Sequence, residues 1–342
     1  MPRASKKGHS KFIPALVITA LAVMIGGGFF AMRSWENAEA QQEVEEAAAV
    51  EESYENPGSL TINYQGGQYR LRDDLETYLI IGLDKFTDTL SDPDAYINNQ
   101  QSDFLFLMIV DKTNESYCAV HLNRDTMTEI QRLGVGGKRL GTFVGQLALS
   151  HTYGSGGKDS CRNTAEAVTN YLYGVPVDHY FAMTMDAIPV LNDLVGGVTV
   201  HVDDDFSAID PALEQGKDVR LVGQQALTFV RARRGVNDQT NLSRMNRQRE
   251  YIYGLYQQLS DKLHSIDGFS KRLASHLADF SVSDLTSTQL SNLADRMKDY
   301  RFTTIYTIPG EAVVGEKFME FYTDDDALQE LVVQLFFKPV TQ

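Results

Sequence analysis

Apolar and polar positions alternate in blocks over the last three quarters of the chain. Three runs have the length of buried strands and are bounded by Asp, Asn or Lys. They are YLIIGLD (78–84), FLFLMIV (104–110) and SYCAVHLN (116–123). Upstream, LTINY and QYRLR each alternate apolar and polar residues, and Gly66 and Gly67 lie between them. This arrangement predicts a hairpin whose turn uses glycine at positive φ.

Helical periodicity separates these strands from one another. NTAEAVTNYLYG predicts a helix with Asn163 as N-cap, Glu166 three residues later and Gly174 as the C-terminal stop. MDAIPVLNDLVGG followed by VTVHV (198–202) predicts a helix, a Gly-Gly turn and a strand. Two further helices are predicted in VGQQALTFVRAR and SRMNRQREYIYGLYQQLSDKL, and a last one beginning near Asp324. Interleaved strands and helices indicate an α/β fold, a layered α/β/α sandwich with a mixed central sheet.

The N-terminal region has the pattern of a membrane anchor. Residues 12–32 contain no charged side chain, and their length as a helix is roughly 31 Å, enough to cross a bilayer. Four basic residues precede the run and one follows it closely, so we expect a cytoplasmic N-terminus and an extracytoplasmic remainder. The alternative is a cleaved signal peptide, since Ala38-Glu39-Ala40 has the small-x-small form.

The predicted organisation is therefore a cytoplasmic tail (1–11), one transmembrane helix (12–32), a linker (33–58) and a folded domain (59–342) with a C-terminal extension. Eight Glu and no basic residue occur between residues 36 and 55, which is typical of a solvated stalk. Outside a membrane, Cys118 and Cys161 could form one disulfide, or they could remain two separate buried thiols.

Several familiar sites are excluded by the sequence. GSGGKDS (154–160) resembles a phosphate-binding loop, but Thr152 occupies the position of its first glycine and Asp159 replaces the required Ser or Thr. The chain has neither a GxSxG nor an HExxH motif, and two distant cysteines cannot form a zinc site. An extracytoplasmic domain also makes nucleic acid an improbable partner.

One stretch of this acidic chain is strongly basic. The chain carries a net charge of −15, yet RARRGVNDQTNLSRMNRQRE (231–250) contains six arginines and only two acidic residues. If a helix begins near Ser243, then Arg244, Arg247, Gln248 and Tyr251 share one face of its first two turns. Cations at a helix N-terminus oppose the helix dipole, so the pattern favours a bound anion. The alternative is an arginine face paired with acidic residues of the same chain.

Two carboxylates lie at strand ends. Asp84 ends the run YLIIGLD and Asp103 begins FLFLMIV, so the two meet at one sheet edge if these strands are antiparallel neighbours. Two carboxylates together with phosphate oxygens and water suit Mg²⁺, or Mn²⁺ in its place. Each aspartate taken alone could equally be a turn or cap residue.

Seven segments in this order resemble the LytR-CpsA-Psr family of cell-wall glycopolymer transferases. They are YLIIGLD, QSDFLFLMIV, HLNRDTMTEI, HTYG, GVPVDHYFAMTMDAIPVLNDLVGGVTVHV, GQQALTFVRARR and SRMNRQRE. The resemblance covers about residues 78–251 and implies transfer of a phospho-glycopolymer, such as teichoic acid or capsule, from a polyprenyl pyrophosphate carrier onto peptidoglycan, with Mg²⁺ assisting. It also implies a single-pass protein of a Gram-positive cell membrane.

The resemblance assigns roles to particular residues. Asp84 and Asp103 would be catalytic residues on the metal side, and Arg124, Arg231 and Arg233 would hold the pyrophosphate. Arg244 and Gln248 match the final motif, and Arg247 lies on the same face. Where the family often has Gly-Asp, this chain has Thr240-Asn241, so the acidic role passes to Asp238, is taken by Asn241 or is missing. Lys85 replaces a Ser.

Two functions compete at this stage. The first is a membrane-anchored glycopolymer–peptidoglycan phosphotransferase. The second is a non-catalytic protein that binds polyprenyl phosphate or wall polymer and regulates envelope or transcriptional responses. Pyrophosphate hydrolysis could accompany either function. The enzyme requires Asp84 and Asp103 for turnover, whereas a binding protein requires chiefly the arginines.

Overall fold

The computed structural model describes residues 60–86, 90–92 and 95–340. The predicted tail (1–11), transmembrane helix (12–32) and linker (33–58) lie outside these residues. Within them, none of the helices has both the length and the apolar character needed to cross a bilayer.

The described chain contains strands and helices in alternation, as the sequence predicts. The strands are β1 (Thr61–Tyr64), β2 (Gly67–Leu71), β3 (Leu75–Leu83), β4 (Ser102–Asp111), β5 (Ser116–Leu122), β6 (Met127–Gly134), β7 (Lys138–Gln146), β8 (His179–Thr184), β9 (Thr199–His201), β10 (Asp218–Arg220), β11 (Ser281–Ser283), β12 (Arg301–Tyr306), β13 (Gly310–Val314), β14 (Met319–Thr323) and β15 (Phe337–Pro339). The helices are α1 (Lys158–Tyr171), α2 (Ala187–Val195), α3 (Gln224–Arg231), α4 (Asn241–Ser265), α5 (Phe269–Leu277), α6 (Ser287–Met297) and α7 (Asp325–Phe336).

Six strands form the central sheet, in the order β11-β8-β3-β4-β5-β12. The pairs β3–β4, β4–β5 and β8–β11 are antiparallel, whereas β3–β8 and β5–β12 are parallel. The sheet is therefore mixed, as predicted. The remaining strands form small two- and three-stranded sheets, and VTVHV pairs with β10 in one of these rather than in the central sheet.

Helices cover both faces of the central sheet. Leu79 and Ile81 of β3 belong to the largest buried cluster, together with Val168 of α1 and Leu328 of α7. The intervening Ile80 packs on the opposite face, where α4 contributes to the cluster. Strands covered on both faces are continuously apolar, which is why the runs in β3, β4 and β5 show little alternation.

The predicted hairpin is present, with its turn one residue earlier than expected. β1 and β2 are antiparallel, and Gln65 and Gly66 have φ values of +48° and +79°. Gly67 already belongs to β2. The turn is thus Gln65-Gly66 rather than Gly66-Gly67, a pair of positive φ values that suits the twist of a two-residue hairpin.

The prediction of Asn163 as an N-cap is wrong. The helix α1 begins five residues earlier, at Lys158, with Asp159 in its first turn. Asn163 is buried within the helix and donates hydrogen bonds to the backbone carbonyls of Gln131 (3.0 Å) and Ser150 (2.7 Å). Its amide links α1 to neighbouring segments, a role that polar residues inside helices adopt when tertiary partners are available.

Both cysteines are free thiols, so the disulfide between them is wrong for this structure and the alternative of two separate thiols describes it. Cys118 lies in β5, and the sulfur of Cys161 in α1 lies 3.7 Å from Nε2 of His151. Burial raises the pKa of Cys118 to about 11 and that of Cys161 to about 12, so neither forms a reactive thiolate near neutral pH.

Candidate active site

The two strand-end aspartates come together as predicted. β3 and β4 are antiparallel neighbours with Leu83 opposite Ser102, so Asp84, just after β3, and Asp103, near the start of β4, lie at the same end of the sheet. Both aspartates line an open cavity of about 680 Å³, which we call the polar cavity. Its remaining lining residues are Met185, Ile209, Gln224, Leu227, Thr228, Arg231, Ala232, Arg233, Arg234 and Arg244.

Asp103 is held by two arginines from different elements. Arg124 follows the end of β5, and its guanidinium donates hydrogen bonds to the carboxylate of Asp103 and to the side-chain oxygen of Gln101. Nη1 of Arg244 lies 3.5 Å from the same carboxylate. Arginine forks bind carboxylates and phosphates with the same planar geometry, so these two side chains also suit an incoming phosphate.

The first turn of α4 positions Arg244. Thr240 is the N-cap residue, so the helix begins two residues before the predicted start, at Asn241. Arg244 donates to Oδ1 of Asn241 (2.6 Å) and to the backbone carbonyl of Asp103 (3.4 Å). Burial lowers the pKa of Arg244 to about 10, and the nearby cations Arg233 and Arg124 act in the same direction against Asp103. An anion entering the cavity would relieve this excess of positive charge.

Arg231 and Arg233 are exposed arginines of the polar cavity. Arg231 is the last residue of α3, and its Nη2 lies 2.6 Å from Oδ1 of Asp84. About half of each side chain in this pair is exposed, at 51% and 54%. Arg233 lines the polar cavity, and within the described residues its guanidinium forms neither a hydrogen bond nor an ion pair, although its charge acts on Asp125 and Arg244. Both are placed to bind a ligand from the open side of the cavity.

Neither Arg247 nor Gln248 lines the polar cavity, but Gln248 lines the apolar cavity beside it. Arg247 forms a buried ion pair with Asp204 and donates to the carbonyls of Phe229 (3.0 Å) and Ala232. Gln248 donates to the carbonyl of Val230 (3.2 Å). The last carbonyls of a helix have no partner within it. These two side chains therefore fasten the C-terminal end of α3, which carries Arg231, to α4.

Asp238 is also absent from the lining of the polar cavity. Its carboxylate accepts hydrogen bonds from the backbone N–H of Thr240 (2.9 Å) and from the hydroxyl of Ser243 (2.6 Å). These contacts, with that of Ser243 largest, lower its pKa. The geometry thus gives Asp238 the role of organising the start of α4 instead of binding substrate.

Sequence reasoning missed Arg234, Gln101 and the contact made by Asn241. Arg234 lines the polar cavity beside Arg233, and its position in the run RARR was the available signal. Gln101 lies two residues before Asp103, a spacing that places side chains on the same side of an extended segment. Asn241 accepts a hydrogen bond from Arg244, and its own amide donates to Oδ1 of Asn123 (2.8 Å).

A second cavity lies between the sheet and helices α4 and α5. It has a volume of about 290 Å³ and is lined almost entirely by apolar side chains, among them Phe104, Phe106, Met183 and Leu255. Met185 lines both this first apolar cavity and the polar cavity. The apolar side chains that could accept a lipid tail, unassigned from the sequence, are therefore directly beside the arginines.

The polar cavity contains two carboxylates and four arginines and lies next to an apolar cavity, a combination that would suit an amphiphilic anion. The LytR_cpsA_psr family matches residues 31–335, and the chain belongs to this family.

Relatives and solved structures agree with this membership. The chain is 28% identical over 237 residues to the polyisoprenyl-teichoic acid--peptidoglycan teichoic acid transferase TagU of Bacillus cereus, which covers 69% of this chain and 72% of that protein. The fold is similar to that of TagV from B. subtilis, with a TM-score of 0.59 and 20% identity over 78% of this chain and 97% of that one. It is also similar to TagT bound to LI-WTA, with a TM-score of 0.58 and 17% identity over 77% and 90% of the two chains.

Proposed function

We propose that this protein is a phosphotransferase that moves a phospho-glycopolymer of the teichoic acid class from a polyprenyl pyrophosphate carrier onto peptidoglycan. One observation carries the proposal. The polar cavity, with its arginines, adjoins an apolar cavity through the shared residue Met185. A lipid-linked pyrophosphate has an anionic group joined to an apolar tail, and these two cavities match its two halves.

Membership in the family and the name of the TagU relative support transfer as the reaction. An acceptor hydroxyl of peptidoglycan attacks the phosphorus that carries the glycopolymer. The bond from this phosphorus to the bridging oxygen breaks, and polyprenyl phosphate leaves with the electron pair. The hydroxyl proton passes to a carboxylate or to water.

Arginines in the polar cavity and directly behind it act on the charge of this reaction. Arg124 does not line the cavity itself but contacts Asp103, which does. Arg124 and Arg244 are fixed by Asp103, and we assign to them the binding of the pyrophosphate in the ground state. Arg231, which is paired with Asp84, and Arg233 lie on the open side of the cavity, where they add guanidinium donors for the charge that develops on the leaving phosphate. Fixed donors aimed at developing charge lower the barrier of phosphoryl transfer.

We further propose that Asp84 and Asp103 hold Mg²⁺, or Mn²⁺, together with pyrophosphate oxygens. The described residues contain no group of three or more His, Cys, Asp or Glu side chains arranged for a metal. Two carboxylates in one cavity nevertheless fit Mg²⁺, which is commonly bound by one or two carboxylates plus substrate phosphates. When bound, the metal would neutralise charge on the phosphates.

The substrate also implies a location. A polyprenyl carrier resides in a bilayer, and peptidoglycan lies outside it. We therefore propose an extracytoplasmic domain anchored by residues 12–32, whose apolar character and basic flank support this topology.

The test measures polyprenyl phosphate released from a labelled lipid-pyrophosphate donor in the presence of Mg²⁺. Replacing Arg231 or Arg233 by Lys keeps the charge but loses the planar fork, so we expect a rate loss of roughly 30-fold to 1,000-fold, or ~2–4 kcal/mol. Arg132→Lys is the matched control, because Arg132 is exposed on β6 and does not line the polar cavity. Chelation by EDTA should abolish turnover, and added Mg²⁺ should restore it.

Parental rates in both Lys variants would show that these arginines do not form a pyrophosphate clamp. Binding of polyprenyl phosphate without turnover of any donor would instead favour a regulatory binding protein.

A further inference from the structure

Cavities continue from the first apolar cavity along one face of β3. Gly82 and Ile80 line the first apolar cavity, and Ile80 and Tyr78 line a middle cavity of about 180 Å³. Tyr78 and Glu76 line a far cavity of about 290 Å³. Alternate residues of a strand share a face, so these four positions form one line of roughly 20 Å at about 3.3 Å per residue.

The opposite wall is continuous as well. Leu273 and Leu277 of α5 line both the first apolar cavity and the middle cavity. Leu293 of α6 lines both the middle cavity and the far cavity. Each pair of neighbouring cavities therefore shares side chains from the sheet and from the helices.

Polar groups occur at the two ends of this line and are scarce between them. At the far end, Nη2 of Arg296 lies 2.6 Å from Oε2 of Glu76 and 3.1 Å from the hydroxyl of Tyr78. Beside them, Nδ1 of His179 lies 2.9 Å from Oδ2 of Asp284. Arg296 is 39% exposed, so its ion pair is open to solvent and costs little to separate. An apolar passage with a polar rim at each end suits an extended apolar chain.

Resting on the proposed function, we propose that the far cavity is a second mouth of the tail-binding groove. The end of a long isoprenoid tail passes Tyr78 and emerges beneath Arg296, and the narrow middle cavity makes the groove selective for tail length. A short tail fills the first apolar cavity alone. The occupant is the carrier's own tail, because the line begins at the polar cavity, where the pyrophosphate binds.

The direct test uses the unaltered full chain and two synthetic probes. Each is an isoprenoid diphosphate with a diazirine at the tail end, one with a geranyl tail and one with an undecaprenyl tail. After irradiation, mass spectrometry locates the labelled residues. We expect the long probe to label α6 and the Glu76–Tyr78 segment, and the short probe to label residues of the first apolar cavity.

A substitution tests length selection independently. Leu293→Trp places a bulky ring between the middle and far cavities, whereas Thr288→Trp adds the same ring to an exposed position of the same helix. Only Leu293→Trp should weaken binding of the undecaprenyl probe, by about tenfold or more, since the excluded groups lose their apolar surroundings. Binding of the geranyl probe should change less than about threefold in either variant.

The outcomes separate this inference from the proposed function. If the long probe labels only the first apolar cavity, the tail folds back and the second mouth is wrong, while the proposed function stands. If Leu293→Trp weakens both probes equally, the middle cavity does not select for length. If neither probe labels the chain, the proposed function fails and this inference fails with it.

Discussion

Arg244 and Arg247 lie on the same face of α4, one turn apart, and have opposite surroundings. Arg247 is neutralised by Asp204 and donates to two carbonyls near the end of α3. Arg244 shares Asp103 with Arg124, which also lies 3.4 Å from Asp125, and Arg233 is nearby. Three arginines therefore face two carboxylates, and positive charge exceeds negative charge. The comparison teaches that charge balance, rather than residue type or helical position, distinguishes a structural arginine from one available to a ligand.

The largest effect should follow loss of the structural arginine. Arg247→Met leaves Asp204 buried without its cation and frees the carbonyls of Phe229 and Ala232. We expect the free energy of unfolding to fall by about 3–5 kcal/mol, as when one partner of a buried ion pair is removed. Chemical denaturation measures this change.

The control is the double variant Arg247→Met with Asp204→Leu, which removes both charges. It should recover part of the loss, because apolar pairs can replace buried ion pairs. A loss below about 1 kcal/mol in the single variant would mean that Arg247 is not a structural arginine and would remove the contrast with Arg244.

The face shared by these residues was predictable, whereas their different partners were not. Helical periodicity places Arg244, Arg247, Gln248 and Tyr251 together, and all four are buried in the structure. The partner of Arg247, however, lies 43 residues away in a loop, and no local pattern connects the two. Only the tertiary fold decides which arginine receives a matching carboxylate.

The aspartates and Asn163 show the same difference between features that the local sequence predicts and features that depend on distant partners. Asp84 and Asp103 meet because strand register is a short-range consequence of two apolar runs, which the sequence displays. Asn163 was misassigned because its carbonyl partners lie 32 and 13 residues away. The apolar cavities could not be foreseen either, because they depend on how α4, α5 and α6 pack on the sheet.

A smaller effect on stability, but a clear one on activity, is expected for Arg244. Arg244→Lys keeps the charge but loses the fork that reaches Asn241 and Asp103. Release of polyprenyl phosphate should fall by roughly 30-fold to 100-fold, or ~2–3 kcal/mol. The free energy of unfolding should fall less than in Arg247→Met. If the two variants lost stability equally and activity only in proportion to folded protein, Arg244 would be structural too.

The smallest effect concerns pH and a buried histidine near Arg244. His121 in β5 is buried, and no partner is found for its Nδ1 among the described residues. Burial lowers its pKa to about 3, and the cations Arg249 and Arg244 add to this. The unfolded chain takes up this proton below a pH of about 6.5, but the folded chain does not until about pH 3. The unfolded state therefore binds more protons between these values, and stability falls as pH falls.

In that window His121 should make the protein about 2 kcal/mol less stable at pH 5 than at pH 7. His121→Leu, of similar size and without a titrating group, should lack this part of the acid sensitivity. Denaturation of both proteins at the two pH values gives the difference, and the contribution of His151, whose burial lowers its pKa to about 4, cancels because both proteins retain it. Identical pH profiles would show that His121 is not held neutral in the folded protein.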